Sequence, residues 1–153
     1  MLLINNIKFL INGGIKMNTF RDYFFDSVEH ERNFIKLLTD YSGEMEAGSE
    51  FTPLFYITAF PPLFKCLKEN ENGRVPQLHE IFEINDKGHW VANHPGITKA
   101  SFELSMLAFG LFGGSGERTV SPTALINLSP GYRNIAIQAI EIKIEYRDGK
   151  WPL

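Results

Sequence analysis

The chain has 153 residues, the size of one domain, and is 44% hydrophobic and 13% aromatic, which excludes a disordered chain. Its formal net charge is −3 and its Lys and Arg residues are scattered, so a nucleic-acid footprint is absent and the charge is too small for a DNA mimic. A chain of this length buries about 70% of its unfolded surface, so it needs no disulfide or metal to fold. The single cysteine, Cys66, can form no internal disulfide and fits a reducing cytoplasm.

Residues 1–16 are apolar but interrupted by Asn5, Asn6 and Lys8, too short a stretch to span a membrane. They also lack the cationic start and small-residue cleavage site of a secretory signal. Gly13-Gly14-Ile15-Lys16-Met17 can be encoded by a stretch containing GGAGG, a ribosome-binding sequence, just before an ATG. The expectation is that Met17 is the native start and 1–16 a translated leader. The plainer reading is a short strand or helix packed on the domain. A mass beginning at Met1 in the native protein would end the leader reading.

Ser27 predicts an N-cap for a helix over 28–41. Val28, Phe34, Ile35, Leu38 and Tyr41 recur at helical spacing, with Glu29, Glu31, Arg32 and Lys36 on the wet face. An acidic loop, 44–50, follows. Thr52-Pro53 then reads as a cap and a first-turn proline. The helix it opens carries Phe55, Tyr56 and Phe60, and Pro61-Pro62 breaks it before a second helical piece over 63–68. Together 52–67 is too densely apolar for a mobile surface element, so it is assigned to the core.

The stretch 76–91 is ambiguous: helix then loop is preferred, with a hairpin around Asn85–Gly88 as the alternative. Ile97 or Thr98 starts a central helix over 98–112, apolar almost all round, in which Gly110 would let a neighbour approach. Ser121-Pro122 opens a short helix to about 128, and Ser129-Pro130 opens the last, to about 146. Tyr132, Ile135, Ala136, Ala139, Ile142 and Tyr146 make its apolar face, although 140–146 alternates as a strand would.

Each chemical motif competes with a bland reading. Gly113-Gly-Ser-Gly-Glu-Arg-Thr119 looks like a phosphate loop, but Glu117 stands where a Walker lysine belongs and the loop follows a helix. A serine elbow is not matched around Ser115 either. A catalytic role for Cys66 is weaker than a buried structural thiol. Zinc wants three or four converging ligands. His79, His89 and His94 are the metal candidates, while His30, between Glu29 and Glu31, matches no metal signature. For all four, surface or capping histidine is the plainer reading. Asp22, Asp26, Glu29 and Glu31, and separately Glu44, Glu46 and Glu50, form carboxylate clusters. Such clusters usually make a solvated face, and beyond that they read better as a docking patch for a basic partner than as general acid-base machinery. Trp90 is the surface-anchor candidate, against a tryptophan folded back over the core.

Several segments resemble a family of small proteins of unknown function from Gram-positive bacteria and their phages: Leu54-Phe-Tyr-Ile-Thr-Ala59, Leu78-His-Glu-Ile-Phe82, Trp90, Leu107-Ala-Phe-Gly-Leu-Phe-Gly113, Ser121-Pro122 and Ala139-Ile-Glu-Ile-Lys143. Residues 21–67, with Phe24-Phe25, Val28-Glu-His-Glu-Arg32 and Thr58-Ala-Phe-Pro-Pro-Leu-Phe64, are also similar to small staphylococcal proteins. The resemblance spans about 21–147 and leaves out 1–16. It implies a mainly helical fold and a mobile-genetic or accessory context, and it brings no activity with it. The doubled proline and the loop 113–119 depart from the pattern.

The fold expected is mainly α, a single compact domain over 17–153 of about six helices, with a short β-hairpin near 81–91 left open. The function expected is a non-enzymatic cytoplasmic protein-interaction module, of immunity or anti-defence type. It would dock a protein partner through Glu44, Glu46, Glu50 and Trp90, without cofactor, nucleic acid or membrane, and a homo-oligomer is compatible with it. The alternative is a small metal-dependent or acid-base hydrolase using histidines and carboxylates.

Overall fold

The computed structural model describes residues 23–43, 50–69, 71–113 and 120–148. The leader expectation for 1–16, the acidic residues Glu44 and Glu46, and the glycine-rich loop 114–119 lie outside the described residues. The architecture is mainly helical, with one short antiparallel hairpin: α1 (Val28–Asp40), α2 (Phe51–Thr58), α3 (Pro61–Phe64), a 3-10 turn (Leu78–Ile81), β1 (Phe82–Ile84), β2 (Trp90–Ala92), α4 (Lys99–Gly113), α5 (Pro122–Ile126) and α6 (Pro130–Arg147). No helix among the described residues is long and apolar enough to cross a membrane.

At the centre lies α2, packed mainly against α4 and α6. Every residue from Thr52 to Thr58 is buried. The entry differs from the sequence expectation. Phe51 is the first helical residue, Glu50 precedes it and makes no side-chain cap, and Thr52 and Pro53 sit inside the first turn. Proline is tolerated there because the first four N–H groups of a helix have no intrahelical partner.

The exit of α2 explains how α1 is oriented. Pro61 and Pro62 bring no N–H, and the backbone turns at Phe60 (φ −58°, ψ 124°) before α3 begins. The Phe60 N–H bonds Ile57 O and the Leu63 N–H bonds Phe60 O, so the carbonyls of Tyr56 and Ala59 lack those partners. Side chains of α1 supply them: His30 Nε2 donates to Tyr56 O at 2.9 Å and Asn33 Nδ2 to Ala59 O at 3.0 Å. Buried backbone acceptors need partners, and this need turns α1. Its inward face is His30, Asn33, Phe34 and Leu37, whereas Val28, expected inside, is exposed. Ser27 caps the helix as expected, accepting from the His30 N–H at 3.1 Å.

After α3, shorter than expected, Cys66 and Leu67 turn into the core. The preferred helix-then-loop reading of 76–91 is corrected. The helical part shrinks to the 3-10 turn, capped by reciprocal Gln77 and Glu80 contacts, and the hairpin takes the rest. Phe82 pairs Ala92, Glu83 pairs Val91 and Ile84 pairs Trp90. Turn chemistry decides it: Asn85 Oδ1 accepts from the Lys87 and His89 amides, both at 3.0 Å, and Gly88 takes φ 77°. A side chain at Gly88 meets open space, so only the left-handed backbone opposes it. Gly88→Ala is expected to cost about 1–2 kcal/mol, read as a shift of the urea midpoint with unchanged m-value.

Thr98 starts α4, its hydroxyl accepting from the Ser101 N–H at 3.2 Å. Ser101, Leu104, Ser105 and Ala108 are fully buried where α4 packs on α2, three of them small side chains, while Gly110 is half-buried. The Ser105 hydroxyl folds back onto Ser101 O at 2.8 Å, so its burial leaves no polar orphan. Ser121 caps α5 through the Ala124 N–H at 3.1 Å. In α6 the alternating stretch 140–146 is helical: Ile135, Ala136, Ala139 and Ile142 face inward, and Ile137 and Ile144 face out.

Candidate functional site

Residues 23–26 form a strap that hydrogen bonds join to α1, α2 and α6. The Phe24 N–H donates to Gln138 Oε1 at 2.8 Å, the Tyr56 hydroxyl donates to Phe24 O in a short bond, and the Asp26 N–H donates to His30 Nδ1 at 3.3 Å. Rings of the strap meet those of α1 and α2 tilted or edge-on: Phe25 and His30 centroids are 5.1 Å apart, His30 and Tyr56 4.8 Å, and Tyr23 and Tyr56 6.4 Å. Where the strap meets α6, a hollow of about 290 Å³ opens between Phe24, Asn134, Ile137, Gln138 and Glu141. Phe24 is 41% exposed and Ile137 48% exposed, and Ile144, two turns beyond Ile137 on the same outward stripe, is 42% exposed.

The electrostatics follow from burial. Burial pushes the His30 imidazole below its ordinary value; the Tyr56 carbonyl and the Asp26 carboxylate pull the other way and offset only part of it. Burial, then Asp26 and Glu141, pushes the Tyr56 phenol well above the ordinary range. Tyr23 is raised by burial and by Glu145. His30 is therefore neutral, with Nε2–H donating to Tyr56 O and Nδ1 accepting from Asp26. The ring is buried and both its nitrogens are engaged within the protein, so the closed state does not present His30 to a substrate, and the Tyr56 hydroxyl is spent on the strap. This cluster braces the fold. The surface it leaves outward is an open hollow lined by apolar Phe24 and Ile137 and by polar Asn134, Gln138 and Glu141.

The residues singled out from sequence are dispersed. Glu50 is exposed, with a carboxylate oxygen 3.9 Å from Lys143 Nζ, a surface pair of small energetic weight. Trp90 is half-buried, its ring 5.8 Å from that of Phe109 at the edge of the core. His79 and His89 are exposed, on the 3-10 turn and the hairpin loop. His94 is half-buried, its Nδ1 accepting from the Gly96 N–H at 2.9 Å. No three His, Cys, Asp or Glu side chains among the described residues are grouped to hold a metal ion. Cys66 and His94 both crowd Gly96, but burial raises the thiol and Sγ lies 3.5 Å from Pro62 O, which keeps it protonated and a poor nucleophile.

Sequence reasoning missed His30, Gln138 and Phe24. For His30 one signal was present. It stands three residues after a capping serine, with Asn33 and Phe34 following at three and four, an inward face once the polar groups have partners. For Gln138 and Phe24, separated by 114 positions, no local signal exists.

No protein-family model matches the chain, and neither a curated protein nor a solved structure matches it significantly.

Proposed function

We propose that this chain is a non-enzymatic, cytoplasmic protein-interaction module that docks a partner through the outward stripe of α6 at the strap crossing. The single observation that carries the reading is the hollow where exposed Phe24 and Ile137 flank Glu141, with Ile144 extending the apolar line. Single exposed apolar residues need no explanation, but apolar residues gathered around a concavity mark contact surfaces. The partner it suits is an amphipathic protein helix with apolar anchors at helical spacing and a Lys or Arg set against Glu141. The acidic loop ending at Glu50 and the Trp90 loop remain the competing surface. The resemblance to small phage and Gram-positive proteins gives this reading an accessory setting, with an immunity or anti-defence partner as its sharpest form.

The test compares captured proteins for wild type, Ile137→Asp/Ile144→Asp, Glu50→Lys and Trp90→Ala. Both α6 positions are exposed, so the double variant is expected to keep its stability within about 0.5 kcal/mol per site while losing the captured partner. Glu50→Lys and Trp90→Ala are expected to retain it. Loss with Glu50→Lys or Trp90→Ala but not with the α6 variant would move the docking surface to the sequence-predicted site, and an unchanged set for all three would overturn both.

A further inference from the structure

One of the strap's hydrogen bonds is accepted by an imidazole, the side chain that titrates on the acid side of neutral. We infer that His30 is a proton-operated latch: a proton taken up at Nδ1 breaks the bond from the Asp26 amide and releases residues 23–26 from α1, α2 and α6. This does not rest on the docking reading, because its readout is the protein alone.

The geometry makes the two states exclusive. In the closed state the Nδ1 lone pair accepts the Asp26 N–H at 3.3 Å, while Nε2–H donates to Tyr56 O at 2.9 Å. A solvent proton bound at Nδ1 occupies that lone pair and sets two N–H donors against each other. Nε2 keeps its carbonyl, so the ring stays docked on α2 and the strap is the side that must yield. Among the described residues, the titratable groups facing the ring are the Asp26 carboxylate on the strap itself and the Tyr56 phenol from α2. Phe25 and Phe60 add uncharged rings, and Glu29 and Glu31 flank His30 on its own helix. Asp26 is exposed and offers the imidazolium a new acceptor, but its backbone must turn away from Nδ1 for the carboxylate to arrive. Neutralising the new charge therefore pulls the strap in the same direction as the lost bond. Phe24 then leaves Gln138, a side chain otherwise buried, and the wall of the hollow that Phe24 forms opens. Burial holds the imidazole neutral until the pH falls below the ordinary histidine value of 6.5, so the strap is closed at neutral pH and opens on the acid side.

The experiment is a pH series on the full chain, following the His30 ring nitrogens by NMR and the protection of the Phe24 and Asp26 amides, corrected for intrinsic exchange. His30→Gln is the companion, since a carboxamide offers one donor and one acceptor and does not titrate. In wild type, strap protection is expected to fall about tenfold with the midpoint of His30 protonation, while α2 and α4 amides stay protected. In His30→Gln it stays constant over the same range. Strap protection unchanged while His30 titrates would overturn the latch. So would the same loss in His30→Gln, or a His30 that takes up its proton only on global unfolding. If His30→Gln does not fold, the coincidence of the two wild-type midpoints decides the matter.

Discussion

Tyr56→Ala is expected to remove about 3–5 kcal/mol of stability, a large part of the roughly 5–15 kcal/mol that holds an ordinary domain together. Tyr56 is fully buried in the middle of α2, with its ring packed among Tyr23, Phe25, His30 and Phe34. Truncation leaves a cavity that four aromatic neighbours cannot collapse into without leaving their own rotamers. The hydroxyl is a separate contribution. It donates to Phe24 O, so Tyr56→Phe keeps the packing and is expected to cost about 1–3 kcal/mol. Urea unfolding measures both. The two variants also divide differently: Tyr56→Phe loosens the strap amides while the α4 amides keep their protection, whereas Tyr56→Ala lowers protection throughout. Equal, small losses for both would mean that α2 is not the centre of the core.

The second large effect is expected from His30→Ala, about 2–4 kcal/mol. The substitution removes a fully buried ring and orphans two backbone groups at once, Tyr56 O and the Asp26 N–H. It also changes the pH dependence. The folded-state value of His30 is depressed, so the unfolded chain binds the proton more readily. The stability it contributes is fully present above 6.5 and falls as the pH drops from there toward the lower folded-state value. Below that value the loss is complete and flat. Wild type is therefore expected to weaken across the acid side of 6.5, and His30→Ala, already weaker, to lack this component. Thermal melts at matched ionic strength across that range compare the two slopes. A parallel slope in the variant would assign the acid sensitivity to other groups.

Much of the fold was legible because its signals are local. Ser27, Thr98 and Ser121 cap where their positions before a helical run imply, and Pro61-Pro62 bends the chain between two core segments. The failures have physical causes. Val28 looks apolar enough for the core and His30 too polar, yet His30 is inside because α2 tightens at Phe60, whose N–H bonds Ile57 O and leaves Tyr56 O for the imidazole. Polarity along one helix cannot report an acceptor on another. The hairpin was underweighted for a different reason: Leu78, Ile81 and Phe82 share a helical face, and the turn chemistry of Asn85 and Gly88 outweighed it. The hollow joins Phe24 to α6 across more than a hundred positions, a proximity no spacing encodes.

Site-specific photo-crosslinking measures the docking surface most directly. A photoreactive residue is placed at Ile137, on the α6 stripe, or at Ile84, exposed on β1 and paired with Trp90. The proposed docking face predicts a discrete adduct of one partner from position 137 and none from position 84, with the adduct suppressed by Glu141→Lys. An adduct from position 84 alone, or none from either, would contradict it.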